Sequence, residues 1–173
     1  NSFIRTGWKA LTIVPLRELS ISTLNNQRLI SLENSIEINE IKLPFSDLNN
    51  TTGFQLIIDE IWDQSGIKFS INRNYKYLDW RYRKPGEQYL GFLINKNAGF
   101  LFLKVFENEF QKTVHICDLI MKNTQLGLVP EVLQFVKKYA VLQNAHKITA
   151  WCLSGHPHSH FFNSEGMYVN KQL

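Results

Sequence analysis

Apolar residues change their spacing along this chain, and those changes divide it into elements. Over residues 35–42, Ile36, Ile38 and Ile41 interleave with Glu37, Asn39 and Glu40, the period-two mark of a half-buried strand with one defect near its end. The loop at 44–52 carries threonines able to cap a helix. Phe54, Ile57, Ile58, Ile61 and Trp62 then recur at helical spacing until Ser65-Gly66. A second helix is predicted over 72–84, with Tyr75, Leu78 and Tyr82 on one face, Tyr77 and Trp80 on another, and Pro85-Gly86 as the stop. Three strand-like runs follow at 88–95, 99–107 and 112–121, with turns expected at Asn97-Ala98-Gly99 and Asn108-Glu109.

Residues 124–127 lead into a third helix, with Pro130 and Glu131 in its first turn and Lys137 and Lys138 toward its end. The continuous apolar run at 147–153 suits a parallel strand buried on both faces. A short helix around 159–164 and a strand from Met167 close the order. At the other end, 8–16 reads as a loose strand stopping at Pro15, and 20–34 as a polar connector turning at Asn25-Asn26. The expected class is therefore α/β (α+β): a strand, two helices, an antiparallel meander, then a β-α-β crossover.

Composition narrows the function classes. A chain of 173 residues, 44% hydrophobic and 13% aromatic, suits one packed domain and argues against disorder. It has no apolar run long enough for a membrane span. The start, at Asn1, has no initiator Met and no secretion signal, so the chain is expected to be a piece or processed form of something longer. Two cysteines, Cys117 and Cys152, lie in apolar runs, as free thiols do in a reducing cytoplasm. The net charge of +4 favours an anionic ligand only mildly and is too small to argue for nucleic acid.

Several residues could carry chemistry. His115 and Asp118 lie three apart in one predicted strand, on opposite faces if the alternation is regular, so one of them could face a cleft as general base. The plainer reading makes them a surface histidine and a turn cap. His156, His158 and His160 alternate as zinc ligands can, yet no Asp, Glu or Cys in that loop completes a site, and a solvated loop is the favoured expectation. Cys152 sits where a thiol is inert. Arg73, Lys76, Arg81, Arg83 and Lys84 among Tyr75, Tyr77, Trp80 and Tyr82 could stack on a sugar-nucleotide or RNA; on a helix, the aromatics are expected in the core and the charges in solvent.

Three segments carry a family resemblance. These are Phe161-Phe162-Asn163-Ser164-Glu165-Gly166-Met167, the strand His115 to Met121 with the helix after it, and Tyr77-Leu78-Asp79-Trp80-Arg81-Tyr82 followed by Pro85. Together they resemble the GNAT-type N-acyltransferases, the last in the form associated with bacterial proteins of cell-envelope and polysaccharide clusters. The resemblance implies a GNAT-like mixed sheet over 35–173 with helices on both faces. Phe3 to Trp8 echoes the closing segment, which would make 1–34 the end of a preceding GNAT-like unit.

The resemblance further implies acyl transfer, of acetyl above all, from acetyl-coenzyme A to an amine on a small molecule or sugar-linked envelope precursor. The protein would be cytoplasmic, with a homodimer or tandem domain as partner. It assigns the coenzyme to the strand residues Leu119, Ile120 and Met121 and to the phosphate segment Thr124, Gln125, Leu126 and Gly127. Two departures stand out: Asn123 to Leu128 has one glycine where the family has two small residues, and the thiolate-protonating tyrosine falls at Phe162, with Tyr168 nearby in sequence. These departures define the alternative, a catalytically degenerate binding or scaffolding domain.

Overall fold

The computed structural model describes residues 15–21, 36–41, 51–68, 71–84 and 86–169. The expected strand at 8–14, the turn at Asn25-Asn26, the echo at Phe3 to Trp8 and Pro85 lie outside the described residues. Seven strands form one sheet: β1 (Leu16–Ser20), β2 (Ile38–Ile41), β3 (Tyr89–Ile94), β4 (Gly99–Glu107), β5 (Lys112–Met121), β6 (Lys147–Trp151) and β7 (Tyr168–Val169), in the order β2-β3-β4-β5-β6-β1-β7. Among the described residues only β5 and β6 run parallel; every other neighbouring pair is antiparallel. The helices are α1 (Thr51–Asp63), α2 (Tyr75–Tyr82), α3 (Val129–Leu142) and α4 (Ser159–Ser164).

The sheet buries both faces. On one, α3 lays Val132, Leu133, Val136 and Ala140 against Leu101, Leu103, Val114, Ile116 and Ile148. On the other, Ile58 and Ile61 of α1 and Leu78 and Tyr82 of α2 cover Phe100, Phe102 and Ile120. The alternation along β4 makes this possible: phenylalanines point one way and leucines the other, so one strand serves two cores.

Several boundaries differ from the sequence expectation. The meander's first turn spans 95–98, with Asn95 and Lys96 at positive φ. Gly99 opens β4 instead of finishing that turn, because a Cβ there would meet Met121 Sδ at 2.3 Å and the Ile120 carbonyl at 2.6 Å. The second turn is held by Asn108, whose Oδ1 accepts from the N–H groups of Phe110 and Gln111 at 3.0 and 2.9 Å. Lys137 does not cap α3 but is buried in an ion pair with Glu165 at 2.6 Å, which ties α3 to the end of α4.

The described strand at the amino-terminal side starts after Pro15, where the expected one stopped, as suits a residue with no N–H to give a ladder. It lies inside the sheet, paired to β6 from Leu16↔Trp151 to Ser20↔Lys147 and to β7 at Arg17↔Val169 and Glu18↔Tyr168. Buried Arg17 reaches across to accepting groups of the last elements, the Asn163 side chain and the Met167 carbonyl.

Candidate functional site

One irregularity in β5 builds the site. Leu103 pairs with Ile116 and Phe102 with Asp118, so Cys117 is an extra residue, a β-bulge. The bulge resets the alternation. Val114, Ile116, Leu119 and Met121 stay on the α3 face, while Cys117 and Ile120 face α1 and α2. His115 and Asp118 therefore share a face and line one cavity, which corrects the expectation that they diverge. The parallel ladder between β5 and β6 ends at Ile116↔Ala150, and past it a cavity of about 370 Å³ opens between the strands.

Asp118 is buried and fully engaged. Its Oδ1 accepts from Arg73 Nε at 2.9 Å and its Oδ2 from the Tyr82 hydroxyl. Arg73 comes from the segment before α2, where Asn74 Oδ1 caps the helix by accepting from Tyr77 N–H at 3.0 Å. Tyr82 stacks on Phe102 with ring centroids 4.1 Å apart, and burial foremost, then the Asp118 charge, holds its phenol protonated. A buried carboxylate needs such partners, since its desolvation would otherwise cost several kcal/mol.

His115 is half-buried, with Nδ1 2.8 Å from Thr149 Oγ1 on β6. Burial, then the Arg81 charge and more weakly Lys104, lower its pKa, while Asp118 pulls the other way. The imidazole is thus neutral at pH 7. The tautomer that donates Nδ1–H to Thr149 leaves a lone pair on Nε2, which has no hydrogen-bond partner among the described residues.

The histidine loop is solvated only in part, with His160 exposed and His156 half-buried. His158 is 1% exposed and lines the cavity beside Leu119 and Phe162. Neither of its ring nitrogens completes a hydrogen bond. Burial and the neighbouring His156 depress its pKa to about 3, although the Leu119 backbone lies near enough to oppose them. His156, with its ring 4.7 Å from that of His158, accepts the His158 N–H on Nδ1 at 3.2 Å, so its proton sits on Nε2. His160 stacks instead on Phe161, and among the described residues no group of three or more His, Cys, Asp or Glu is placed to hold a metal ion.

Burial disfavours the thiolate form of both cysteines. Burial, then Asp118, pushes Cys117 up to about 12, and burial raises Cys152 as well.

The residues assigned to the coenzyme separate into two groups. Leu119 and Ile120 line the cavity, while Met121 is wholly buried against Gly99. Thr124, Gln125, Leu126 and Gly127 form a 3-10 helix (Asn123–Leu128) leading into α3, with Thr124, Gln125 and Gly127 exposed. Part of its backbone is already used: Gln125 N–H donates to Lys122 O at 2.8 Å and Val129 N–H to Leu126 O. A Cβ on Gly127 would meet nothing within 4 Å. Phe162 is buried in the cavity wall, and Tyr168 is 68% exposed on β7.

Sequence reasoning left out Arg73, Arg81, Tyr82, Thr149, His156 and His158 as members of the site. The basic-aromatic stretch around α2 held the signal for three of them. There, Leu78 and Tyr82 form the core face, Trp80 is 72% exposed, and Arg73 turns inward.

No family model matches the sequence, and no curated protein matches it. Solved structures do resemble the fold. A probable acetyltransferase superposes with a TM-score of 0.55 at 14% identity, covering 79% of this chain and 93% of its own. An aminoglycoside acetyltransferase from an uncultured soil metagenomic sample, in complex with trehalose, gives 0.53 at 13% over 82% and 93%. A predicted acetyltransferase with acetyl-CoA from Clostridium acetobutylicum gives 0.54 at 11% over 80% and 93%. With the meander, the bulged β5, the splayed parallel pair and helices on both faces, this chain has the fold of the GNAT acetyltransferases.

Proposed function

We propose that the protein transfers an acyl group, acetyl foremost, from coenzyme A to an amine of a small or sugar-linked acceptor, with His115 as general base. The observation that carries this reading is the bulge at Cys117: it ends the β5–β6 ladder and opens a cavity with a neutral imidazole on its wall. A coenzyme A thioester fits that cleft. Leu119 and Ile120 line it with strand backbone no longer laddered to β6, and the open side of Gly127 leaves room at the start of α3. The thioester supplies the activated acyl carbon. Backbone N–H groups beyond the bulge are suited to steady the oxygen that gains charge on attack.

His115 Nε2 takes the amine proton, and Thr149 holds the ring in the tautomer that allows it. Asp118 does not act as the base. It anchors Arg73 and Tyr82 and opposes the loss of basicity that burial imposes on His115. The departing sulfur needs a proton that Phe162 does not have; the imidazolium formed on His115 when it takes the amine proton is acidic enough to supply it, which returns the ring to its neutral form.

The internal hydrogen bonds of the 3-10 segment and the missing tyrosine hydroxyl favour a second reading, a binding module whose coenzyme site has decayed. One experiment separates the two. Calorimetric titration with acetyl-coenzyme A, coenzyme A and a desulfo analogue should give micromolar binding that Gly127→Trp abolishes without loss of fold. Absence of binding to the folded wild-type chain overturns the enzyme reading.

A further inference from the structure

We infer that a groove beside α2 binds a phosphate-bearing ring, and that this group is the handle by which the acceptor is held. The groove, of about 550 Å³, is lined by Trp80, Arg81, Arg83, Lys84 and Tyr89. It meets the catalytic cavity at Arg81, which lines both.

Charge decides the ligand class. Of the three cations in the groove, Arg81 makes no ion pair among the described residues; its guanidinium lies over the Tyr82 ring, 5.6 Å from the centroid, and feels Asp118 only beyond ion-pair distance, so it keeps charge to offer a ligand. Arg83 is paired with Asp79 and Lys84 with Glu87 at 3.5 Å, but these two basic side chains are 55% and 66% exposed. Exposed pairs of this kind contribute little, so both cations can turn to an incoming anion. Three cations lining one groove exceed what a single carboxylate needs and suit a phosphate.

The aromatic lining supplies the ring preference. Trp80 lines the groove with 72% of its surface in solvent, which leaves a ring face open to stack on a bound one. Tyr89 lies edge-on to Tyr82 at 4.9 Å, part of a rigid floor that continues to Phe102. Heterocyclic rings stack on such aromatic platforms whatever their sequence identity, because every base has a π-face.

The arrangement also discriminates against other amines. A polycationic acceptor would meet Arg81 on its way to His115 and be repelled. An amine tethered to a phosphate is drawn in, and the same positive field favours its neutral, nucleophilic form. The role as acceptor handle rests on the acyltransferase reading; the binding itself does not.

The test is a fluorescence and calorimetric titration of the intact chain, without coenzyme, using uridine diphosphate, uridine, inorganic phosphate and spermidine. Uridine diphosphate should bind most tightly, and spermidine not at all. Arg81→Ala should weaken that binding by about tenfold or more, and Trp80→Ala by several-fold, with both variants still folded. Raising the salt should weaken it further. Failure of every anion to bind, equal binding by the Arg81→Ala variant, or competition by coenzyme A that Arg81→Ala leaves unchanged would each overturn the inference. Equal affinities for inorganic phosphate and uridine diphosphate would remove the ring from it. Coenzyme A binding without uridine diphosphate binding would sink this proposal and spare the acyltransferase reading; the reverse result would do the opposite.

Discussion

The two faces of the sheet solve different problems with the same strands. On the α3 face, β5 presents Val114, Ile116, Leu119 and Met121 to an apolar core, Ile116 and Leu119 also touching the cavity. On the α1–α2 face, the same strand presents His115, Cys117 and Asp118 to a buried carboxylate cluster and an open cavity. The first face is stabilised chiefly by area and packing, with the buried Lys137–Glu165 pair at its edge. The second gives up some packing to hold charged groups in fixed places, and that cost is repaid only through function. A single inserted residue, Cys117, separates the two behaviours.

That contrast breaks most sharply in the α3 core. Leu133→Ala removes a side chain 1% exposed and should cost about 3–5 kcal/mol in denaturant unfolding. It should leave coenzyme A affinity unchanged in the surviving folded fraction. A large loss of affinity at unchanged foldedness would mean that the two faces are not independent.

Asp118→Ala leaves Arg73 and the Tyr82 hydroxyl without their shared acceptor. The expected loss of stability is about 2–3 kcal/mol, below the usual range for a broken buried pair because Arg73 keeps 20% exposure. Acyl transfer should fall with it, and its pH profile should shift, because His115 loses a charge that sustains its basicity. An unchanged profile would detach Asp118 from His115.

Acid should act through the polar face. His158 has a folded-state pKa of about 3, below the ordinary histidine value, so the unfolded chain binds its proton first. Stability therefore falls as pH drops below about 6.5, by up to ~1.4 kcal/mol per pH unit from this group, and levels off only near its folded value. His158→Phe, which removes two unpartnered nitrogens, should flatten that slope in denaturation measured between pH 7 and 4. A slope as steep as that of the wild type would place the acid sensitivity elsewhere.

The smallest effect belongs to the surface. Arg83→Ala breaks an exposed pair with Asp79 and should change stability by less than about 0.5 kcal/mol, while uridine diphosphate affinity falls measurably.

The order of elements was legible because period-two and period-3.6 patterns are local. Ile38 and Ile41, the α1 stripe and the run at 147–151 needed nothing but their own neighbours to be recognised. The site was legible only in part. His115 and Asp118 were visible as polar residues in an apolar strand, but the bulge that aligns them was not, because one extra residue leaves the local composition of a strand unchanged. Gly99 read as a turn glycine since turns favour glycine; the sulfur of Met121, 22 positions on, is what requires it.

The sequence by itself determined the helices, the meander and the parallel β5–β6 pair, through the spacing of apolar side chains that must leave water. It also supplied the chemistry available, including the absence of a hydroxyl at Phe162. Tertiary structure alone decided that β1 enters the sheet between β6 and β7, that Arg73 turns to Asp118, and that the His158 ring is buried without a hydrogen-bond partner. Those outcomes join residues tens of positions apart or more, and they depend on which groups share a desolvated volume, a quantity no local pattern contains.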